Sequence, residues 1–168
     1  EWTDLTSPDL ERSAIQYWWR CRADFSRHSW DLPFAVICDG RVVGMQNVMA
    51  AQFRSLRTAE TGSWLGKAHQ GKGIGTEMRR AVLHWIFEDL DALEVTSSAF
   101  FDNPASQRVS RAIGYEDNGT DVSRRRGERA EKVRFLLTRD RWLDSRTDIP
   151  IEVHGFEACR PMFGLDAR

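Results

Sequence analysis

The sequence is poor in several features that mark particular classes of protein. Its three cysteines are odd in number and far apart, which excludes a disulfide framework and a zinc cluster and fits a reducing compartment. No apolar run approaches the roughly 20 residues that cross a bilayer, and the acidic start, residues 1–4, is no signal peptide. With 24 basic and 25 acidic residues, the chain has no cationic surplus for nucleic acid. We therefore expect a cytoplasmic protein that binds neither membrane nor nucleic acid.

Length and the order of predicted elements indicate the fold class. A chain of 168 residues favours one compact domain over residues 1–168. Hydrophobic spacing and turn signals predict helices at 11–25, 76–90, 103–114 and 139–143, hairpins at 34–51 and 115–138, single strands at 58–65 and 93–100, and an edge strand at 149–156. Hairpins that alternate with crossover helices predict an α/β or α+β domain with one mixed sheet.

A glycine-rich loop, Gly71-Lys72-Gly73-Ile74-Gly75, joins the strand at 58–65 to the next helix. A helix N-terminus carries unpaired amides and a partial positive charge, and glycines let the backbone approach an anion closely. Three glycines in five residues exceed what a tight turn needs. The loop therefore predicts a phosphate site, with a turn that binds nothing as the alternative.

Two nucleotide-binding motifs nearly match this loop, and each fails at one position. Gly66, Gly71 and Lys72 fit the P-loop, but Gly73 stands where Ser or Thr must hold magnesium. Thr76 stands where the dinucleotide fingerprint has its third glycine. A magnesium-dependent nucleotide enzyme remains a minor hypothesis.

Three motifs, in order and at family spacing, resemble the GNAT superfamily of acyl-CoA-dependent N-acyltransferases. The run from Gln70 to Gly75 fits the pattern Q/R-x-x-G-x-G/A, and residues 59–66 are similar to the family's fourth strand. Asn103 and Ser106, followed by residues 111–115, are similar to the N-x-x-S and R-x-x-G-F/Y elements of the ribosomal-protein N-terminal acetyltransferase branch. The resemblance implies a single mixed, mostly antiparallel sheet flanked by helices, with splayed central strands.

The resemblance covers residues 33–142 and leaves 143–168 as a C-terminal extension. Members of the family begin with a strand before the first helix, and residues 1–7 supply no convincing one. Either that strand was trimmed or this N-terminus is atypical. The sequence therefore does not decide which strand forms the first edge of the sheet.

The resemblance also implies that acetyl-CoA, or another acyl-CoA such as succinyl-CoA, is the co-substrate and that no metal is needed. The backbone amides from Gly71 to Thr76 are then expected to bind the CoA diphosphate, and an amide near Leu65 to face the acyl oxygen. Core packing explains Trp64 equally well. The residues expected to contact the cofactor are Trp64, Leu65, Gly66, Gln70, Gly71, Lys72, Gly73, Ile74, Gly75, Thr76, Asn103 and Ser106.

Two side chains are expected to act on the reacting groups. Glu60 is the candidate general base, directly or through water, because it lies four residues before Trp64 on the same face of a strand. An ordinary exposed carboxylate is its alternative. Ser106 is expected to hydrogen-bond toward the CoA sulfur and Asn103 to contact the pantetheine, although helix capping also explains both.

The expected function is transfer of a short acyl group to a primary amine by direct attack in a ternary complex. The acceptor is either a protein N-terminus or a small molecule. A non-catalytic acyl-CoA-binding or protein-interaction module is the alternative.

The predicted edge strand at 149–156 offers a homodimer contact. Trp18 and Trp19 are expected to pack the first helix against the sheet. The three cysteines are expected to be buried hydrophobic residues.

Overall fold

The computed structural model describes residues 2–165, which fold around one six-stranded sheet. The helices are α1 Asp9–Ala23, α2 Phe53–Leu56, α3 Ile74–His84, α4 Pro104–Ile113, α5 Arg139–Ser145 and α6 Phe156–Cys159. The strands are β1 Ser29–Cys38, β2 Arg41–Ala51, β3 Thr58–Leu65, β4 Glu94–Phe100, β5 Glu116–Arg125 and β6 Glu128–Thr138. Short 3-10 segments lie at Trp2–Asp4, Lys67–His69 and Arg160–Phe163, and a π-helical segment, Trp85–Asp89, continues α3.

The strand order is β1-β2-β3-β4-β6-β5. Every neighbouring pair is antiparallel except β3 and β4, which are parallel because a crossover through α3 connects them. The mixed, mostly antiparallel sheet and the α/β class expected from the sequence are confirmed.

The two faces of the sheet are covered unequally. On one face, α3, α4 and the C-terminal segment enclose the main core, which includes Trp85, Phe135 and Phe163. On the opposite face, α1 lies against β1 and β2, where Tyr17 donates to Asp31 and Trp18 contacts the Met45 sulfur. We call these the core face and the α1 face.

Local signals account for most element ends. Asp39 and Gly40 form the β1–β2 turn with positive φ values of 50° and 73°. Asn103 caps α4 by accepting a hydrogen bond from the Ser106 amide, and Gly114 ends this helix with φ 111°. The strand predicted at 58–65 forms with those bounds. Helix α3 begins at Ile74, two residues before its predicted start, and the second hairpin turns at residues 126–127.

The edge strand predicted at 149–156 does not form. Pro150 lacks an amide to donate, and Gly155 turns the chain with φ 78° into α6. Phe156 instead packs edge-to-face on Trp85, and Phe163 packs on Trp30. Burial of these rings on the core face replaces strand pairing, so the dimer contact inferred from that strand loses its basis.

Two other expectations about packing need correction. Trp19 is 67% exposed and Trp18 39% exposed, so they pack α1 only in part. Cys21 is buried as expected, whereas Cys38 and Cys159 are half-buried.

Within residues 2–28 the chain forms a 3-10 turn and α1 but no strand, so β1 lies at one edge of the sheet. No helix among residues 2–165 is long and apolar enough to cross a membrane.

Candidate active site

The site is built where β3 and β4 separate. Their pairing covers four residues and ends at Thr61 opposite Ser97. Beyond that point β3 pairs with β2 alone and β4 with β6 alone, so a gap opens between residues 62–65 and 98–100. Helices α3 and α4 begin shortly after these two strands end, so both helix N-termini lie near the open end of the gap. The splayed central strands are thus a property of this sheet.

The backbone at the end of β3 directs an amide into this gap. Gly66 donates its amide to the carbonyl of Val43 on β2, at 2.9 Å. Because peptide groups alternate along a strand, the Leu65 amide points to the opposite edge, toward β4. The pairing with β4 has already ended there, so β4 provides no acceptor for this amide. An N–H group directed into a gap is the geometry of an oxyanion donor.

The glycine loop presents free amides at the start of α3. The amides of Gly73, Ile74 and Gly75 have no hydrogen-bond acceptor among residues 2–165. Thr76 differs from the expectation, since its amide already donates to the Gly73 carbonyl at 3.0 Å. The three free amides lie at the positive end of the helix dipole, which favours an anion.

The glycines of this loop leave the space in front of the amides open. Gly71 and Gly73 have φ values of 72° and 83°, and a Cβ on either would meet no atom within 4 Å. A Cβ on Gly75 would lie 3.7 Å from Leu65 and 4.0 Å from Val109 of α4. The first turn of α3, the end of β3 and α4 therefore meet at one place.

Three of the predicted site residues, Gln70, Asn103 and Ser106, take part in local hydrogen bonds. Gln70 donates its side-chain amide to the Leu65 carbonyl at 2.9 Å and thereby ties the loop to the end of β3. The Asn103 side chain accepts from the Ser106 amide at 3.1 Å. Ser106 is half-buried in the first turn of α4, at the open end of the gap.

Glu60 and Trp64 lie on the α1 face, away from α3. Trp64 is 38% exposed and tilts against Trp2, with ring centroids 5.4 Å apart, so it is not a core residue. Glu60 is exposed and lines a cavity of about 610 Å³ together with Tyr17 and Asp31. The gap separates these residues from the glycine loop, so two molecules can reach it from opposite faces.

Tyr17 and Asp31 of that cavity belong to a hydrogen-bonded set on α1, β1 and β2. Tyr17 donates to Asp31 at 2.7 Å, and Asn47 donates to Asp31 at 2.8 Å and also to the Tyr17 oxygen. Burial, with the neighbouring Asp31 carboxylate, raises the pKa of Tyr17 above its ordinary range. The phenol therefore remains protonated at neutral pH and acts as a donor.

Arg79, to which no sequence motif assigns a role, lies at the closed end of the gap. Its guanidinium donates to Ser63 on β3 at 2.9 Å and to Ser97 on β4 at 3.2 Å. Arg79 is 3% exposed. Helical spacing gave a signal, since Arg79 precedes the buried residues Leu83 and Ile86 by four and seven positions.

The first 116 residues of the sequence match a known family model. The model described as "Acetyltransferase (GNAT) domain" matches residues 1–116, more than half of the chain. The chain belongs to the GNAT acetyltransferase family.

Individual GNAT relatives agree with this assignment. A Bacillus subtilis protein named "Putative ribosomal N-acetyltransferase YdaF" is 30% identical over 115 residues, 68% of this chain and 60% of that protein. A solved structure of a "Probable acetyltransferase" is 28% identical, covers 84% of this chain and 79% of its own, and superposes with a TM-score of 0.68. Mycobacterium smegmatis RimJ in complex with CoA-disulfide shares the fold at 19% identity, with a TM-score of 0.66 and coverage of 81% of this chain and 68% of its own.

The aligned stretches do not span the curated GNAT relatives completely. They cover 45%, 60% and 33% of the length of three such proteins. The match establishes the family of this chain, whereas its donor, its acceptor and its mechanism require their own argument.

Proposed function

We propose that this chain is an N-acyltransferase that moves a short acyl group from acyl-CoA to a primary amine. The observation that carries the proposal is the gap between β3 and β4, which opens at the free amides of the α3 N-terminus. A phosphate group with a long, thin tail fits this arrangement of an anion site that continues into a narrow gap.

The residues of the glycine loop suit the CoA diphosphate. The amides of Gly73, Ile74 and Gly75 are free to donate, and the space in front of Gly71 and Gly73 is open. Lys72 is exposed in the same loop and adds a positive charge. The binding therefore uses backbone donors and the helix dipole and needs no metal ion.

The end of β3 suits the pantetheine arm and the thioester. Residues 64–66 border the gap, and the Leu65 amide is aimed to donate to the thioester oxygen as negative charge develops there. Ser106 lies in the first turn of α4, near the open end of the same gap, and we assign it a hydrogen bond toward the sulfur, while Asn103 caps that turn. A serine hydroxyl is a weak acid, so hydrogen bonding rather than full proton transfer is its role.

The amine reaches the gap from the α1 face, where Glu60 lines the cavity. Acyl-CoA supplies an activated acyl group as a thioester. Glu60, directly or through one water, accepts a proton from the amine, whose nitrogen forms a bond to the acyl carbon. The bond from carbon to sulfur breaks, and CoA leaves as a thiolate that the Ser106 hydroxyl stabilises by a hydrogen bond. The thiolate then takes a proton from water to become the free thiol, and Glu60 returns its own proton to solvent. Direct attack in a ternary complex accounts for every atom without a covalent enzyme species.

The simplest donor is acetyl-CoA, and the acceptor is a primary amine on a protein N-terminus or a small molecule. The name of the B. subtilis relative, a ribosomal N-acetyltransferase, supports a protein acceptor. We further propose one catalytic domain over residues 1–168 that acts in the cytoplasm.

Isothermal titration calorimetry with CoA and acetyl-CoA tests the cofactor site. We expect both to bind the wild-type chain, and Gly73→Asp to weaken binding at least tenfold, because a side chain and a negative charge then face the diphosphate. Gly119→Asp is the matched control, since Gly119 has a similar φ of 79° and equally open surroundings on β5.

Absence of binding by both compounds would remove the proposal, and equal affinity in Gly73→Asp would remove the assigned diphosphate site. Magnesium-dependent binding of ATP in place of CoA would support the nucleotide alternative. Binding of acetyl-CoA without thiol release, in the presence of a peptide with a free amino terminus or of a polyamine, would identify a non-catalytic module.

A further inference from the structure

A buried positive charge without a counter-ion lies at the closed end of the gap. Arg79 is 3% exposed, and the structure gives its guanidinium no carboxylate partner among residues 2–165. Its acceptors are neutral hydroxyls, those of Ser63 and Ser97 and also that of Tyr115, and its Nε is buried with no acceptor. A guanidinium has five N–H donors, so these hydroxyls use only part of its capacity.

The other deeply buried arginine shows how this chain normally compensates such a charge. Arg160, which is 6% exposed, donates to the Asp89 carbonyl at 2.7 Å and pairs with the Glu157 carboxylate at 3.8 Å. An unneutralised guanidinium in an apolar interior is costly to the fold. The contrast indicates that Arg79 is arranged for an anion from outside the chain.

The groups around Arg79 do not supply that anion. Tyr115 is buried beside it, with its hydroxyl 3.3 Å from Thr61. Burial raises the pKa of Tyr115, and the nearby positive charge of Arg79 only partly offsets this effect. The phenol is neutral at physiological pH, so Arg79, Ser63, Ser97, Thr61 and Tyr115 form a polar cluster with a net positive charge.

The position of this cluster relates it to the acyl end of the donor. Ser63 lies on β3 beyond the point where its pairing with β4 ends, and Ser97 is the last β4 residue that pairs with β3. The Leu65 amide, assigned to the thioester oxygen, lies two residues along β3 from Ser63, or about 7 Å. Two methylenes and one charge-assisted hydrogen bond of roughly 3 Å span about this distance.

We propose that Arg79 binds a carboxylate at the far end of the acyl group, so that the preferred donor is the CoA thioester of a short dicarboxylic acid, with succinyl-CoA as the best match in length. The inference rests on the proposed function and replaces acetyl by a charged acyl group. The reaction is otherwise the same: the amide bond forms, the thioester breaks, CoA leaves as a thiolate that takes a proton from water, and the distal carboxylate remains unchanged in the product.

Calorimetry with four compounds tests the inference on the wild-type chain: CoA, acetyl-CoA, butyryl-CoA and succinyl-CoA. Butyryl-CoA carries a methyl group where succinyl-CoA has its carboxylate, so the pair isolates the contribution of the charge. We expect succinyl-CoA to bind at least 10-fold tighter than butyryl-CoA, because a charge-assisted hydrogen bond to a buried guanidinium is strong.

Arg79→Met should abolish the preference for succinyl-CoA over butyryl-CoA while leaving the affinity for CoA unchanged. Arg79→Lys should retain part of the preference, because lysine keeps the positive charge but lacks the planar guanidinium that binds a carboxylate through two hydrogen bonds. Arg80→Met is the matched control, since it removes the next arginine of α3, and its preference should equal that of the wild type. Thermal unfolding of each variant checks that α3 remains folded.

The two proposals fail in different ways. If none of the four compounds binds, the proposed function fails. If all bind but succinyl-CoA is not preferred, or if its preference survives in Arg79→Met, only the carboxylate site is overturned. An equal loss of affinity for every thioester in Arg79→Met would also overturn it, since Arg79 would then act on a part that all donors share.

Discussion

Glu60 is the only carboxylate on β3, and its position permits a test of its chemistry. Replacement by Gln keeps the size of the side chain but removes the capacity to accept a proton. We expect Glu60→Gln to lower kcat roughly 100-fold or more, within the usual range for general base catalysis. Release of free CoA thiol, with a peptide bearing a free amino terminus or with a polyamine as acceptor, gives the rate.

Glu94→Gln serves as the control for this substitution. Glu94 begins β4 on the same face of the sheet and pairs with Thr58, two residues before Glu60. Its replacement should leave kcat within about twofold of the wild-type value. Unchanged turnover in Glu60→Gln would assign Glu60 to the exposed surface and leave proton removal to water.

Single residues differ in how well the sequence predicts their roles. The capping role of Asn103 is predictable because the backbone geometry of a helix start selects asparagine locally. The partners of Arg79 lie 16 and 18 positions away, on two different strands. A contact of that kind depends on the tertiary fold, so helical spacing places Arg79 on the buried face of α3 but does not identify its partners.

The close approach of β2 to β3 holds the end of β3 at the gap. Gly44 pairs with Leu65, and a Cβ on Gly44 would lie 2.3 Å from the Trp64 carbonyl oxygen and 2.7 Å from the Leu65 side chain. We expect Gly44→Ala to destabilise the chain by about 1–3 kcal/mol, the usual cost of overpacking. It should also weaken acetyl-CoA binding, because the Leu65 amide moves. Urea unfolding and calorimetry measure the two effects.

The same pair of strands supplies the control, Gly62→Ala. A Cβ on Gly62 would meet only the end of the Met49 side chain, at 3.8 Å, which is an ordinary contact. This variant should unfold within about 0.5 kcal/mol of the wild type. Equal stability of Gly44→Ala and wild type would show that β2 and β3 can separate without cost.

Elements followed the sequence where local signals dominate and departed from it where packing decides. The strand Thr58–Leu65 and the Asp39-Gly40 hairpin formed as predicted, because alternation and turn chemistry specify them over a few residues. The segment at 149–156 also has alternating apolar residues, yet no free sheet edge pairs with it. Instead it closes an apolar cavity of about 650 Å³ against α3 and β1, where Phe156 meets Trp85.

The candidate site is a consequence of the sheet topology. One crossover makes β3 and β4 the only parallel pair in the sheet formed by residues 2–165. Beyond Ser97, β4 continues to pair with β6 but no longer with β3, so the two parallel strands separate. The crossover helix α3 delivers its N-terminal amides to the opening and Arg79 to the closed end. The sequence predicted the glycine loop, whereas the depth of the gap required the complete strand order.

A second long-range link joins the N-terminal segment to the far edge of the sheet. Asp4 forms an ion pair with Arg126, at the tip of the β5–β6 hairpin, while Trp2 covers Trp64. The hydrogen bonds from Arg126 lower the pKa of Asp4 from 3.8 to about 2. Since the folded-state pKa is the lower one, this pair stabilises the fold fully above pH 3.8, and its contribution falls as the pH drops toward 2.

Arg126→Gln should therefore raise the pKa of Asp4 toward its ordinary value, measured by NMR titration of the carboxyl carbon. Asp117 is the internal control, because Arg111 holds its pKa low through a separate ion pair that the substitution leaves intact. Release of the segment should also increase the solvent exposure of Trp64, which fluorescence quenching detects. A pKa for Asp4 that stays near 2 in Arg126→Gln would show that Arg126 does not hold this segment across the α1 face.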